Sequence, residues 1–211
     1  MKTELIFAEF GEHSHLVDRE HFKKFFPEAD ITVITEGNCI GEKSHPRWGW
    51  RMNDYHKVRG IYESKADIAI AFDADMKIVD PGVKTIIGLT RTFGLCMSAN
   101  PRKLVGVDNE IGADAQLLII EDLEMMTAVN CGIIALDTSN ERAMRCIDEF
   151  LHIMRVHPMR GPMAWAKAFR ATGFFPCILP SQWCVCAEDV GIGNEIILHT
   201  GHQKVREYYH V

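Results

Sequence analysis

Residues 67–75 read Asp67-Ile68-Ala69-Ile70-Ala71-Phe72-Asp73-Ala74-Asp75. Asp67–Phe72 is short and apolar almost throughout, the pattern of a strand buried on both faces near the middle of a sheet. It ends in two carboxylates with one residue between them. In open α/β sheets, ligands bind in the crevice beyond the carboxyl ends of the strands. If the strand continued, alternation would aim Asp73 and Asp75 to the same side. Two neighbouring carboxylates repel and raise each other's pKa unless a cation intervenes. A hard divalent ion, Mn²⁺ or Mg²⁺, relieves that repulsion and keeps positions open for phosphate oxygens. The competing reading is a strand-end turn in which the two acids cap the next segment.

Around this strand, short apolar runs alternate with amphipathic stretches, which predicts an α/β fold. Thr3–Phe10 reads as a first strand, His15–Phe26 as a helix closed by Pro27, and Asp30–Thr35 as a second strand. Such a compact βαβ unit predicts that the first two strands are parallel. Glu36–Met52 is polar, rich in Gly and Trp, and reads as a loop. Asn53–Ser64 reads as a helix leading into the buried strand. Asp80-Pro81-Gly82 is a turn, Val83–Thr90 a short helix, and Gly94–Ala99 and Gly132–Leu136 are strands. The stretch 102–127 is ambiguous. Ser139–Arg155 is an amphipathic helix capped by Ser139 or Asn140, and Pro162–Thr172 is another helix. Cys177–Leu179 and Glu195–Leu198 are late, short strands.

The chain has 211 residues, of which 47% are hydrophobic and 25% charged, with a net charge of −6. That is enough for one domain over 1–211 with its own core and no disulfide staples. The acidic balance argues against a general nucleic-acid footprint. No apolar run approaches the ~20 residues of a membrane-spanning helix. An acid as early as Glu4 does not suit a secretory leader, so a cytoplasmic protein without membrane insertion is expected. The seven cysteines include no C-x-x-C pair. Cys184 and Cys186 form a C-x-C, a spacing that metal sites use. The simpler expectation is free, mostly buried thiols in a reducing compartment.

Two kinds of protein carry D-x-D at the end of a buried strand. Phosphatases of the haloacid dehalogenase type have it on the first strand, followed by Gly-Thr. Here it ends the third predicted strand and Met76-Lys77 follows. The others are GT-A nucleotide-sugar glycosyltransferases, and the chain resembles these, nearest to glycosyltransferase family 8, the glycogenin-like group. Phe72-Asp73-Ala74-Asp75-Met76-Lys77-Ile78-Val79 resembles the family's F-x-D-A-D-x-x-V block. Lys57, one helix upstream, matches a family Lys that contacts the donor. Asn130-Cys131-Gly132-Ile133-Ile134 resembles N-S-G-V, and Ile178-Leu179-Pro180-Ser181-Gln182-Trp183 resembles L-P-x-x-W. His199-Thr200-Gly201-His202-Gln203-Lys204 resembles the terminal H-x-x-G-x-x-K. These segments run through nearly the whole chain in the family's order.

The resemblance implies a single GT-A α/β domain with a mainly parallel central sheet. It implies metal-dependent transfer of a sugar from a nucleoside diphosphate sugar, foremost a UDP-sugar, to a hydroxyl acceptor. Asp73, Asp75 and His199 would hold Mn²⁺ or Mg²⁺. Lys57, Arg59 and Lys204 would meet the negative charge of the leaving diphosphate, which cations stabilise electrostatically. Phe7, Ala8 and Gly11 would hold the nucleotide base; Ala74, Asn130, Gly132 and Gly201 would line the donor.

The chain departs from the family at three places. The His-to-Gly spacing is one residue shorter, which makes His202 a rival ligand to His199. Arg160-Gly161-Pro162-Met163 stands where the family has an Asp-Gln, so retention and inversion at the anomeric carbon both stay open. Val205-Arg206 replaces a closing Pro-Trp. An inverting reaction would need a base. Asp108, Glu110, Asp114, Glu121 and Asp122 are candidates, but Glu188 and Asp189 stand out because they lie between Trp183 and His199. Arg47-Trp48-Gly49-Trp50-Arg51 could stack on a sugar or base, or simply pack on the domain. The acceptor stays open among a glycan, a protein, a small molecule and a hydroxylated DNA base. The alternatives are a D-x-D phosphatase, a non-catalytic nucleotide-sugar-binding domain, and a sugar nucleotidylyltransferase. The last needs a Gly-rich, Arg-containing loop that Phe10-Gly11-Glu12-His13 does not supply.

Overall fold

The computed structural model describes residues 1–10, 17–35, 51–103, 127–156 and 159–211. Gly11, the 47–50 part of the basic-aromatic stretch and the acids Asp108, Glu110, Asp114, Glu121 and Asp122 lie outside the described residues. The strands are β1 (Thr3–Glu9), β2 (Asp30–Thr35), β3 (Ile68–Phe72), β4 (Met76–Ile78), β5 (Leu95–Lys103), β6 (Thr127–Asp137), β7 (Cys177–Leu179) and β8 (Ile197–His199). The helices are α1 (Arg19–Phe25), α2 (Arg51–Glu63), α3 (Thr85–Phe93), α4 (Glu141–Val156), α5 (Gly161–Thr172) and α6 (Gln203–Tyr209).

The central sheet has six strands in the order β2-β1-β3-β6-β5-β7. β1 is parallel to β2 and β3, and β5 is parallel to β7. Only β6 runs against its neighbours β3 and β5, so the sheet is mainly parallel. All five residues of β3 are buried, as expected of a strand covered on both faces. Alternation divides the core accordingly. Ile6, Ala69, Ala71, Ile134 and Leu136 join α2, α4 and α5 on one face, around Phe150 and Trp165. Leu5, Phe7, Ile68, Ile70, Phe72 and Ile133 face the other way, onto Phe22, Ile86 and Trp183.

Local chemistry sets the helix limits. Asp18 Oδ1 accepts from the His21 N–H at 3.0 Å, so α1 begins at Arg19; the 15–16 part of the expected helix lies outside the described residues. Asn140, not Ser139, caps α4 by accepting from the Ala143 N–H at 3.0 Å. Arg51 and Met52, expected in a loop, belong to α2. Gly60 lets that helix lie close on the sheet: a Cβ there would stand 2.8 Å from Ile6 and 2.9 Å from Ile34.

Two elements were not expected. β4 follows the D-x-D directly, and Gln203–Tyr209 forms helix α6. The last strand begins at Ile197 instead of Glu195, since Ile197, Leu198 and His199 are the residues that pair with Ile78, Lys77 and Met76. Among the described residues no helix is long and apolar enough to cross a membrane.

Candidate active site

Asp73 is the first residue beyond β3, and its N–H donates to the Gly132 carbonyl of β6 at 2.9 Å. The chain then turns, with the Met76 N–H on the Asp73 carbonyl at 3.2 Å, and enters β4. β4 pairs antiparallel with β8 in a separate two-stranded ribbon, with Met76 opposite His199. This register carries His199 across to Asp75. Its Nε2 lies 3.2 Å from Asp75 Oδ1 and 3.7 Å from Asp73 Oδ2. Thr200 locks the join, donating to the Asp75 carbonyl from its N–H at 2.9 Å and from its hydroxyl at 2.6 Å. Gly201 follows, and a Cβ on it would collide with the Asp75 carboxylate. Of the two rival histidines, the structure places His199 beside the carboxylates.

Lys57 lies beneath this set. Its side chain is 1% exposed and its ammonium is ion-paired with Asp73, 3.4 Å from Asp54 Oδ1, and donates to the Cys131 carbonyl at 2.8 Å. Burial works against the charge, but Asp73 and Asp54 more than offset it and hold Lys57 above the ordinary lysine range. Burial pushes the Asp54 carboxyl up despite Lys57. At Asp75 burial acts upward too, yet the hydrogen bond from His199 and its charge bring the carboxyl below its ordinary value. His199 shows the reverse balance. Burial disfavours its charged form, but Asp75, Cys186 and Asp73 raise its pKa to about 10. An ion binding at Nε2 must therefore displace a proton.

The other ring nitrogen of His199, Nδ1, faces Cys186 Sγ at 3.7 Å. The Cys184 thiol, then His199 and His202, draw Cys186 below the ordinary thiol range against the effect of burial, while the same contact pushes Cys184 up.

Asp73, Asp75 and His199 each offer a ligand atom within 4.8 Å of the others. Two carboxylates and one imidazole suit Mn²⁺ or a similar hard-to-borderline ion, and Gly201 keeps the space beside Asp75 clear. They open onto a cavity of about 330 Å³ at the carboxyl ends of β1 and β3. Ala8, Ala74, Asn130 and Gly132 line it, as do Asp54, Asn100, Arg160, Cys186 and His202.

Other expected residues lie elsewhere. Phe7 is in the core, its ring 4.7 Å from that of Phe22. Arg59 pairs with Glu63 at 2.8 Å and lines a different cavity, with Glu4 and Thr32. Lys204 is exposed on α6. Glu188 is exposed and Asp189 buried in a short 3₁₀ turn, and neither lines the cavity. Asp54 and Cys186 escaped sequence reasoning as site residues. A signal existed for each: Asp54 precedes Lys57 by one helical turn, and Cys186 belongs to the C-x-C.

No known family model matches the chain, and no curated protein is detectably similar in sequence. Solved structures are similar in shape. A glycosyltransferase involved in glycosylation of the major capsid of PBCV-1 superposes with a TM-score of 0.61 at 6% identity, covering 100% of this chain and 98% of that one. The galactosyltransferase LgtC, in complex with donor and acceptor sugar analogues, gives 0.58 at 11% identity, covering 98% and 94%. Mouse xyloside xylosyltransferase 1 gives 0.53 at 11% identity, covering 94% and 96%. The fold is that of the GT-A glycosyltransferases. In this sheet the D-x-D follows the third strand in the chain, as the sequence predicts.

Proposed function

We propose that the protein is a metal-dependent glycosyltransferase that moves a sugar from a nucleoside diphosphate sugar, foremost a UDP-sugar, to a hydroxyl acceptor. The observation that carries this reading is the β4–β8 ribbon, which sets His199 against Asp73 and Asp75 at the mouth of the cavity. The ordered segments resembling glycosyltransferase family 8 support it, as does the GT-A fold. Asp73, Asp75 and His199 hold Mn²⁺ or Mg²⁺. When bound, the ion supplies positive charge to the departing diphosphate.

Lys57 acts as a positioning residue. It fixes Asp73 from below and compensates part of the negative charge of the site. Asn130 is held by its own side-chain bond to the Gly132 N–H at 2.7 Å, which orients its amide at the cavity wall. Asp54, Asn100, Asn130 and Arg160 are the polar groups that sugar hydroxyls would meet. Lys204, one residue into α6, would close on the diphosphate from solvent.

Thermal unfolding with UDP, in Mn²⁺ and in EDTA, tests the reading. A hundredfold excess of ligand over Kd should stabilise the protein by ~2.7 kcal/mol, and only with the ion present. Equal stabilisation in EDTA would sink metal dependence. Release of UDP from a UDP-sugar then separates an enzyme from a domain that binds without turnover. Lys204→Ala should weaken UDP binding while Mn²⁺ binding alone is unchanged.

A further inference from the structure

Cys184, Cys186 and His199 form a second group whose ligand atoms lie within 4.8 Å of one another. We propose that these three residues bind Zn²⁺ through two thiolates and His199 Nδ1, and that filling this site withdraws His199 from Asp73 and Asp75. The second half rests on the reading above, in which His199 Nε2 binds the harder ion.

The geometry suits zinc. Zn–S bonds of ~2.3 Å and Zn–N bonds of ~2.0–2.1 Å at a tetrahedral angle place sulfur and nitrogen ~3.6 Å apart. Cys186 Sγ and His199 Nδ1 are 3.7 Å apart. The cysteines are 1% and 3% exposed, yet Cys186 and His199 both reach the cavity wall, which gives an ion a way in. The backbone fixes the set in place. The Val185 N–H donates to the Ile197 carbonyl at 3.0 Å, and the His199 N–H to the Val185 carbonyl at 3.1 Å, so the C-x-C is stitched to β8 on both sides of Val185. Asn130 Nδ2 donates to Cys186 Sγ at 3.4 Å, the kind of outer contact that steadies a metal-bound thiolate. His202 stands edge-on to His199, with ring centroids 4.7 Å apart.

The exclusion follows from the imidazole. A neutral ring has one nitrogen lone pair to give. If Nδ1 binds zinc, Nε2 carries the proton and can only donate it to Asp75. If Nε2 binds manganese, Nδ1 carries the proton toward Cys186. The protons that zinc displaces, from thiol and from Nδ1 where the ring is charged, go to solvent. Thiolates favour zinc and carboxylates favour manganese, so the two ions select opposite faces of one ring.

Co²⁺ serves as the probe because thiolate ligation gives it an intense near-ultraviolet charge-transfer absorption. One equivalent of Co²⁺ should produce that absorption in the 211-residue chain, and Zn²⁺ should abolish it by displacement. Asp75→Asn should retain it. Cys184→Ser with Cys186→Ser should lose it, and Cys186→Ala alone should weaken it if the double variant does not fold. Cobalt taken up without thiolate absorption, or absorption unchanged in Cys186→Ala, would overturn the site. For the exclusion, Mn²⁺ binding followed by electron paramagnetic resonance should be at least tenfold weaker in the cobalt-loaded protein than in the metal-free one. Equal affinity would overturn it. None of these outcomes alters the UDP and Mn²⁺ test above, so the two readings fail separately.

Discussion

Lys57 is ion-paired with Asp73, the first carboxylate of the D-x-D, from a position where its side chain is 1% exposed. Removing one partner of such a pair leaves a buried charge without compensation, which costs ~3–5 kcal/mol. Lys57→Met keeps the length of the side chain but strands Asp73 and the half-buried Asp54. The variant should lose stability on that scale in urea unfolding. A loss under ~1 kcal/mol would mean that the two acids are solvated well enough without the ammonium.

Gly201→Ala isolates a steric effect. The added methyl must displace the Asp75 carboxylate, whereas Gly201 itself is exposed and contributes nothing to the core. Mn²⁺ affinity measured by calorimetry should fall at least tenfold, with the thermal midpoint shifted by only a few degrees. Unchanged affinity would show that Asp75 is not a ligand in its present orientation.

Asp75→Ala should lower sugar transfer by at least a hundredfold, ~3 kcal/mol of transition-state stabilisation. The fold should survive, because Asp75 lies beyond the strand and outside the core clusters. Circular dichroism checks the fold and a UDP-release assay the rate. His199→Ala should match it in lost Mn²⁺ affinity.

His56 supplies a pH dependence separate from the site. It is 1% exposed, and its ring packs against Phe10 and Tyr55 at centroid distances of 5.3 and 5.1 Å. Burial first, and Arg59 second, lower its pKa to about 4. The unfolded chain, at ~6.5, takes up a proton on acidification that the folded protein refuses. The stability contribution of neutral His56 is therefore present above pH ~6.5 and is lost as pH falls toward 4. By pH 5 this should cost about 2 kcal/mol. In EDTA, urea unfolding of His56→Leu should show a smaller loss between pH 7 and 5 than the parent. Parallel losses would place the acid sensitivity elsewhere.

The central sheet was legible where burial leaves a continuous signature. The run at 68–72 is apolar on both faces, and the strand boundaries at Asp30–Thr35 and Cys177–Leu179 match the observed ones. β4 was not legible. Its alternation Met76-Lys77-Ile78 is three residues long, and what makes it a strand is a partner far along the chain. Helix α6 was hidden for a related reason, since only Val205 of its seven residues is buried and periodicity has little to act on. The D-x-D drew attention by its position, at the end of a strand apolar on both faces, beyond which α/β sheets bind ligands. Asp54 did not, because an acid in the first turn of a helix is ordinary. Arg59 and Lys57 lie two apart on one helix, so they point to different sides, and charge alone did not tell which lay beside the carboxylates.

The ribbon of β4 with β8 also has a consequence for synthesis. Asp73 and Asp75 leave the ribosome long before His199, and among the described strands β4 pairs only with β8, far later in the chain. A chain synthesised or cut short of Ile197 thus carries Asp73 and Asp75 without His199 beside them. On the proposed reading, metal uptake would wait for β8, and cleavage ahead of Ile197 would take away His199 while leaving every strand of the central sheet in the chain.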